Sequence, residues 1–272
     1  MASAGLAASG IMISPQRTLD LLRAAQEHKA QRLFFALYPD NDSAWDGPPL
    51  MDGLVIPGQT LHARAKYAKH LEWLAAGKDY RERCAMMANR TGKTFSLGGY
   101  ETSCHLTGLY PDWWEGRRFK SPIAAWAAGD TYETTRDIIQ LTLLGKVTSR
   151  GARKVMDGHG VIPGYLLGRN TWRSGVQDLV DTILVKHVSG GNSSLGLKSY
   201  DQGRKSFQGT GRHVIWHDEE PPMDVYNECL IRTATVNGIV MLTFTPLMGM
   251  SDVVMSFMSD DQLPPIDKDP DL

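Results

Sequence analysis

Apolar positions along this chain fall into two rhythms. Leu61, Ala65, Ala68, Leu71 and Ala75 recur every three to four residues and predict a helix ending at Gly77. Leu19, Leu22, Gln26 and Leu33 fall near one stripe and predict a helix over Arg17 to Leu37. Elsewhere the apolar residues form short unbroken runs. Cys84-Ala85-Met86-Met87-Ala88, Ala124-Ala125-Trp126-Ala127-Ala128, Val214-Ile215-Trp216 and Gly238 to Phe244 predict buried strands. Thr182 to Val188 and Leu195 to Tyr200 read as two more strands. Helical stretches separate them. Thr94 through Leu106 predicts a helix with Gly108 beyond its end. Asp130, with Glu133 three residues on, predicts a capping box opening a helix that Gly145 closes. Asp201 to Phe207 predicts a short helix, and Pro222 to Ala234 a longer one with proline in its first turn. Residues 146–175 are rich in Gly and Arg without a clear period and read as an irregular excursion. Trp113 and Trp114, in a turn-like segment, read as plugs at a core edge. The alternation of strands and helices predicts a mainly parallel α/β sheet with helices on both faces.

Composition narrows the class. The 272 residues carry a net charge of −1 and are 42% hydrophobic, enough for a sizeable core. No apolar run approaches the roughly 20 residues of a membrane span. Met1 to Gly10 has no basic leader ahead of an apolar core and reads as a flexible arm. Cys84, Cys104 and Cys229 are scattered without metal-ligand spacing and read as buried thiols in a reducing compartment. Charge is unevenly spread: residues 136–212 hold 12 Lys/Arg against 5 Asp, and residues 213–272 hold 2 Lys/Arg against 11 Asp/Glu. The basic middle is compatible with a polyanionic partner, and equally with solvated helix faces.

Two segments carry chemistry. Met87-Ala88-Asn89-Arg90-Thr91-Gly92-Lys93-Thr94 lies between the first predicted strand and a helix and reads as a phosphate-binding loop. Gly92 lets the backbone approach a phosphate. Successive N–H groups at the helix start form an anion cradle. Lys93 is placed for the β- and γ-phosphates and Thr94 for Mg²⁺. Met87 stands where the general pattern has its first glycine. The second segment, His213-Val214-Ile215-Trp216-His217-Asp218-Glu219-Glu220, is a strand stopped by Pro221-Pro222. Carboxylates at the C-terminal end of a parallel strand face the crevice where such sheets bind ligands. Asp218 is expected to hold the Mg²⁺ shell, and Glu219 to orient the attacking water.

With these residues in place, a family is visible. Ala88-Asn89-Arg90-Thr91-Gly92-Lys93-Thr94 resembles the altered Walker A loop of the large terminase subunits of tailed bacteriophages. Val214 to Glu220 resembles their Walker B strand with its adjacent catalytic Glu, and Leu242-Thr243-Phe244-Thr245-Pro246 their coupling motif. The resemblance covers residues ~60–250 and is specific as a set. It implies a P-loop NTPase of the ASCE type with a small lid subdomain: an N-terminal arm and helix over 1–58, an ATPase core over 59–248 and a lid or linker over 249–272. It implies an ATP- and Mg²⁺-dependent motor that translocates double-stranded DNA into a procapsid. Such motors assemble as a ring on the portal protein and work with a small terminase subunit, in the host cytoplasm and without a membrane. The nuclease domain of full-length members would follow this chain, so nuclease activity is not expected here.

Carried over by position, Lys93, Thr94, Asp218 and Glu219 take the roles above, and Thr245 would sense the γ-phosphate. Arg90 would be the loop arginine, although Asn89 occupies the position where members often carry it. Ala88, Asn89, Arg90, Thr91 and Gly92 would line the phosphates. Gln59, Arg64 and Tyr67 are the candidates for an adenine pocket. Arg204 or Arg212 would act in trans on a neighbour's nucleotide, where the family's arginine–glycine pair is Gln208-Gly209. Lys146, Arg150, Arg153 and Lys154 are the candidates for DNA-phosphate contacts. Two rival readings remain from the residues: another P-loop nucleic-acid motor such as a helicase, and a non-catalytic DNA-binding adaptor with a degenerate loop, which Met87 favours.

Overall fold

The computed structural model describes residues 14–20, 33–49 and 55–258. The arm at 1–10 and the acidic end at 260–272 lie outside the described residues, as does the middle of the predicted 17–37 helix. What is described of that helix is helical at 15–20 and at α1 (Leu33–Ala36). A small ribbon of β1 (Ser43–Ala44) and β2 (Thr60–Leu61) follows, then a 3₁₀ turn at Arg64–Tyr67 leading into α2 (Ala68–Ala76). The α-helical part thus begins later than Leu61 and closes at Gly77 as expected.

The rest is a seven-stranded sheet and its cover. In chain order come β3 (Glu82–Met86), then α3 (residues 93–107), whose first turns over Lys93–Gly99 are wider than α. Next are β4 (Ala124–Gly129) and α4 (residues 132–144). The hairpin β5 (Val147–Arg150) and β6 (Arg153–Met156) precedes β7 (Leu167–Trp172), β8 (Val180–Lys186) and β9 (Asn192–Ser199). The chain then runs through β10 (Val214–Asp218), α5 (Met223–Ala234), β11 (Ile239–Phe244) and α6 (Asp252–Ser256). The strand order is β3-β11-β10-β4-β9-β8-β7.

The first five strands in that order are mutually parallel, while β8 and β7 are antiparallel to their neighbours. The sheet is thus mainly parallel, as expected, with an antiparallel edge where short connections allow such pairing. The expectation for residues 146–175 is corrected: they hold the β5–β6 hairpin and β7, whose polar, half-exposed sequences carry no apolar period. Asp201 to Phe207 forms two 3₁₀ turns, Tyr200–Gln202 and Arg204–Phe207, split at Gly203. The cap of α4 is Thr131 paired with Thr134, one residue beyond the predicted Asp130–Glu133 box; a threonine hydroxyl at each end closes it.

Strand alternation decides what meets what. Val214, Trp216, Ile239 and Met241 point to the face covered by α3 and α4, with Leu106, Ile139 and Leu143. Ile215 and Val225 pack on the opposite face with Phe207 and Tyr200, and Leu242 and Phe244 meet Val253 and Val254 of α6 there. Trp114 is buried in the cluster under α2 and α3, as a core plug should be. The three cysteines are free thiols. Among the described residues no helix is long and apolar enough to cross a membrane.

Candidate functional site

β11 lies between β3 and β10, so the loop after β3 and the carboxylates after β10 open onto one rim with the end of β11 between them. Met87 continues the ladder: its N–H donates to the Phe244 carbonyl at 3.1 Å. Its φ is not positive, so nothing at this position requires glycine. The left-handed positions in the loop are Arg90 (φ 63°) and Gly92 (φ 85°). Gly92 caps the start of α3, and a Cβ there would lie 2.9 Å from the Ser96 hydroxyl oxygen. The motif's missing glycine therefore leaves the loop geometry intact, and the chief ground for a degenerate loop disappears.

Lys93 is buried and donates from Nζ to Asn89 Oδ1 at 3.3 Å. The Thr245 hydroxyl, just past β11, lies 2.9 Å from that same oxygen and 2.9 Å from the Met87 carbonyl. The Thr94 hydroxyl donates to Asp218 Oδ1 at 2.9 Å, across 124 residues of sequence. Asp218 is 3% exposed, and burial pushes its carboxyl up to about 7 despite the hydroxyl bonds that favour its charged form. Burial also raises the Glu219 carboxyl, which Lys93 partly offsets. Glu219 sits at φ 73°, a conformation that costs a non-glycine residue on the order of 1–3 kcal/mol and persists only when held from several sides. Here its N–H donates to the Thr243 carbonyl at 3.1 Å and its carbonyl accepts from the Tyr200 hydroxyl at 2.9 Å.

The donor set fits a magnesium ion. Thr94 and Asp218 offer oxygen only, and among the described residues no group of three or more His, Cys, Asp or Glu could hold a metal by itself. One carboxylate and one hydroxyl, completed by phosphate oxygens and water, is how Mg²⁺ is commonly held.

Other predicted positions are placed as follows. Ala88 accepts from the Thr91 hydroxyl at 2.8 Å, tightening the loop, and Arg90 is exposed. Tyr67 stacks on His70 with ring centroids 5.4 Å apart. His70 in turn backs the loop, its Cε1 3.5 Å from where a Cβ on Gly92 would sit. Arg64 pairs with Asp40 and lies 5.8 Å over the Trp113 ring, and the Gln59 side chain accepts from the Ile56 N–H at 3.1 Å. Arg204 pairs with the buried Glu228 at 3.0 Å, and Arg212 lies 4.4 Å over Trp126. Both arginines are thus engaged within the chain. Arg150 and Arg153 face each other across the exposed β5–β6 tip, Lys154 pairs with Asp178 at 2.6 Å, and Lys146 begins the hairpin. None of these four lies on the rim elements that carry the phosphate loop and the carboxylates.

Sequence reasoning missed four contributors: Tyr200, His70, Thr243 and Trp216. Thr243 was within reach, since period-two alternation in Leu242-Thr243-Phe244 puts it on the face opposite Leu242, toward Asp218. Trp216 lies on the carboxylate strand itself and reads there only as one of its apolar residues, while Tyr200 and His70 come from other segments and gave no local signal.

Fold and rim together define the class: a P-loop NTPase of the ASCE type, in which an extra strand separates the phosphate-loop strand from the carboxylate strand. The family described as "Terminase large subunit, T4likevirus-type, N-terminal" matches residues 84–271. The chain is 39% identical over 219 residues to the large terminase subunit of Salmonella phage P22, covering 74% of this chain and 42% of that protein. This chain belongs to the terminase large subunit family, and spans less than half the length of that curated relative. Among solved structures it is similar to the Thermus phage P74-26 large terminase ATPase domain, with TM-score 0.43 and 14% identity, covering 66% of this chain and 68% of that one. The large terminase of another thermophilic bacteriophage, in complex with ADP, matches with TM-score 0.39 and 14% identity over 66% of this chain and 38% of that one.

Proposed function

We propose that this chain is the ATPase part of a viral DNA-packaging motor, hydrolysing ATP to move double-stranded DNA into a procapsid. The observation that carries the reading is the 2.9 Å bond between Thr94 and Asp218, with Lys93 buried beside it and Glu219 next in the chain. The loop N–H groups and the Lys93 ammonium would bind the β- and γ-phosphates and stabilise charge developing on the transferred group. Thr94 and Asp218 would hold Mg²⁺, which supplies charge neutralisation when bound. The Glu219 carboxylate, its pKa raised by burial, would orient water in line with the γ-phosphate and accept its proton. Thr245, bonded to the Asn89 side chain, would register the change at the γ-phosphate and pass it to the segment after β11.

Arg150 and Arg153, register partners at the exposed tip of the β5–β6 hairpin, would be free to meet the phosphates of a DNA partner. The portal protein, the small terminase subunit, ring assembly and host cytoplasm complete the reading. Arg204 or Arg212 would need to leave its present partner to serve a neighbour's site. The test is ATP hydrolysis across a protein-concentration series with Glu219→Gln as control. Turnover rising faster than linearly, and lost in the variant with nucleotide binding kept, is the expected result. The absence of both turnover and Mg²⁺-dependent ATP binding would overturn the reading in favour of the adaptor.

A further inference from the structure

Asp218 stands at the end of a short chain of side chains that begins at Trp216 and reaches it through Thr243. Trp216 and Asp218 are two apart on β10 and so share its face, and Thr243 on β11 is the register partner of Asp218. All three are buried, with Trp216 and Thr243 fully so. The Trp216 indole N–H donates to the Thr243 hydroxyl oxygen at 2.7 Å. That hydroxyl lies 2.9 Å from Asp218 Oδ1 and 3.4 Å from the His217 carbonyl. An indole N–H can only donate, whereas a threonine hydroxyl has one proton and can also accept. With the indole filling an accepting direction, the Thr243 proton is left to point at the nearer oxygen, that of Asp218. The same oxygen accepts from Thr94.

The fold makes room for this arrangement. A Cβ on Gly98 of α3 would fall 2.1 Å from Trp216 Nε1, and one on Gly99 would crowd Thr142 at 2.8 Å. The Gly98-Gly99 pair lets the helix that begins at the phosphate loop rest directly on the indole. Loop helix, coupling strand and carboxylate strand thus meet at one side chain.

We propose that Trp216 is a positioning residue: its N–H fixes the Thr243 hydroxyl so that Asp218 is held in the orientation that binds the nucleotide's divalent cation. This rests on the ATP–Mg²⁺ reading above. Removing the N–H releases the Thr243 hydroxyl to turn to the His217 carbonyl, loosening Asp218 while every group at the rim remains.

The test is Mg²⁺ titration of ATP-analogue binding to the whole chain, with thermal unfolding in EDTA alongside. Trp216→Phe keeps a ring over Gly98 and removes the N–H; Thr243→Val keeps shape and removes the hydroxyl; Thr243→Ser restores it. The expected result is a rise of about ten-fold in the Mg²⁺ needed for half-maximal binding in Trp216→Phe and Thr243→Val, since groups orienting a ligand typically matter 10–100-fold. Thr243→Ser should stay near wild type, and the double variant should show no more than the larger single effect. If both single variants keep the wild-type Mg²⁺ requirement, or merely lower the melting temperature without moving it, the relay is refuted while the ATPase reading stands. If the wild-type chain shows no Mg²⁺-dependent binding at all, the ATPase reading fails first and the relay falls with it.

Discussion

The helix α3 serves two buried carboxylates, and the protein treats them oppositely. On its inner face, Glu101 is fully buried and pairs with Arg83 of β3 at 2.6 Å, while His105 Nε2 donates to it at 3.0 Å. Arg83 also lies 4.3 Å over the Trp73 ring and donates to the Trp73 carbonyl. Burial by itself would raise the Glu101 carboxyl; Arg83 and His105 outweigh it and hold the group below its ordinary value. At the N-terminal end of α3, Asp218 is also buried, but its bonded partners are two neutral hydroxyls, and its pKa rises to about 7. A charge with its counter-charge built in ties β3 to α3. A charge given only hydroxyls has room for a cation that arrives with substrate. The contrast separates scaffold from site without reference to motif.

Substitutions can break this comparison or sharpen it. Lys93→Ala should have the largest effect, reducing ATP turnover by about 10³-fold or more, since it removes a cation that stabilises the transferred phosphoryl group; steady-state phosphate release measures it. Glu101→Gln should follow. It leaves Arg83 buried without its counter-charge and should destabilise by about 3–5 kcal/mol, with the Mg²⁺ requirement of nucleotide binding unchanged in the folded protein. Denaturant titration read against wild type would decide, and a loss under about 1 kcal/mol would mean the pair is not the tie described.

Asp218→Asn should behave in the opposite way. With a buried, cation-hungry charge removed, stability in EDTA should be equal to wild type or higher by up to about 2 kcal/mol, while stabilisation by Mg²⁺–ATP disappears. Differential melting with and without ligand tests both halves. Tyr200→Phe is the smallest effect. It removes one bond to the Glu219 carbonyl, worth about 1 kcal/mol, and should lower turnover about five-fold with binding unchanged.

pH supplies a further contrast. Glu101 has a folded pKa below its unfolded one, so its stabilisation is full above about pH 4.3 and is lost as pH falls toward the folded value. The stability gap between wild type and Glu101→Gln should therefore narrow in acid below that point. A gap that stayed constant down to about pH 3 would contradict the depressed pKa.

Much of the proposed site was readable from local patterns, because the pieces that would touch phosphate are contiguous. A phosphate loop is one turn of backbone with a glycine, a lysine and a threonine in fixed order, and Lys93 and Thr94 are found where that order places them. Asp218 and Glu219 end a strand whose apolar run announced it. The antiparallel edge was not readable. Leu167 to Trp172 is half-exposed at a sheet margin and mixes Gly, Arg, Asn and Thr with two apolar residues, so its alternating exposure leaves no apolar period in the sequence. The cap at Thr131 was displaced by one residue, since several adjacent polar residues offer equivalent hydroxyls and carboxylates and the backbone selects among them.

The sequence by itself determined the class of chemistry, the order of the motifs and the strands that carry them, because these depend on residue types at short spacing. Only the tertiary structure decided that Met87 needs no glycine, that Glu219 is held in a left-handed conformation by Tyr200 and Thr243, and that Glu101 and Asp218 meet opposite electrostatic fates. Apart from His105, one helical turn from Glu101, these follow from partners 18 to 158 residues away, brought to a few ångströms by strand order and register. No local pattern encodes that distance, since the charge state and strain of a side chain are properties of the volume around it.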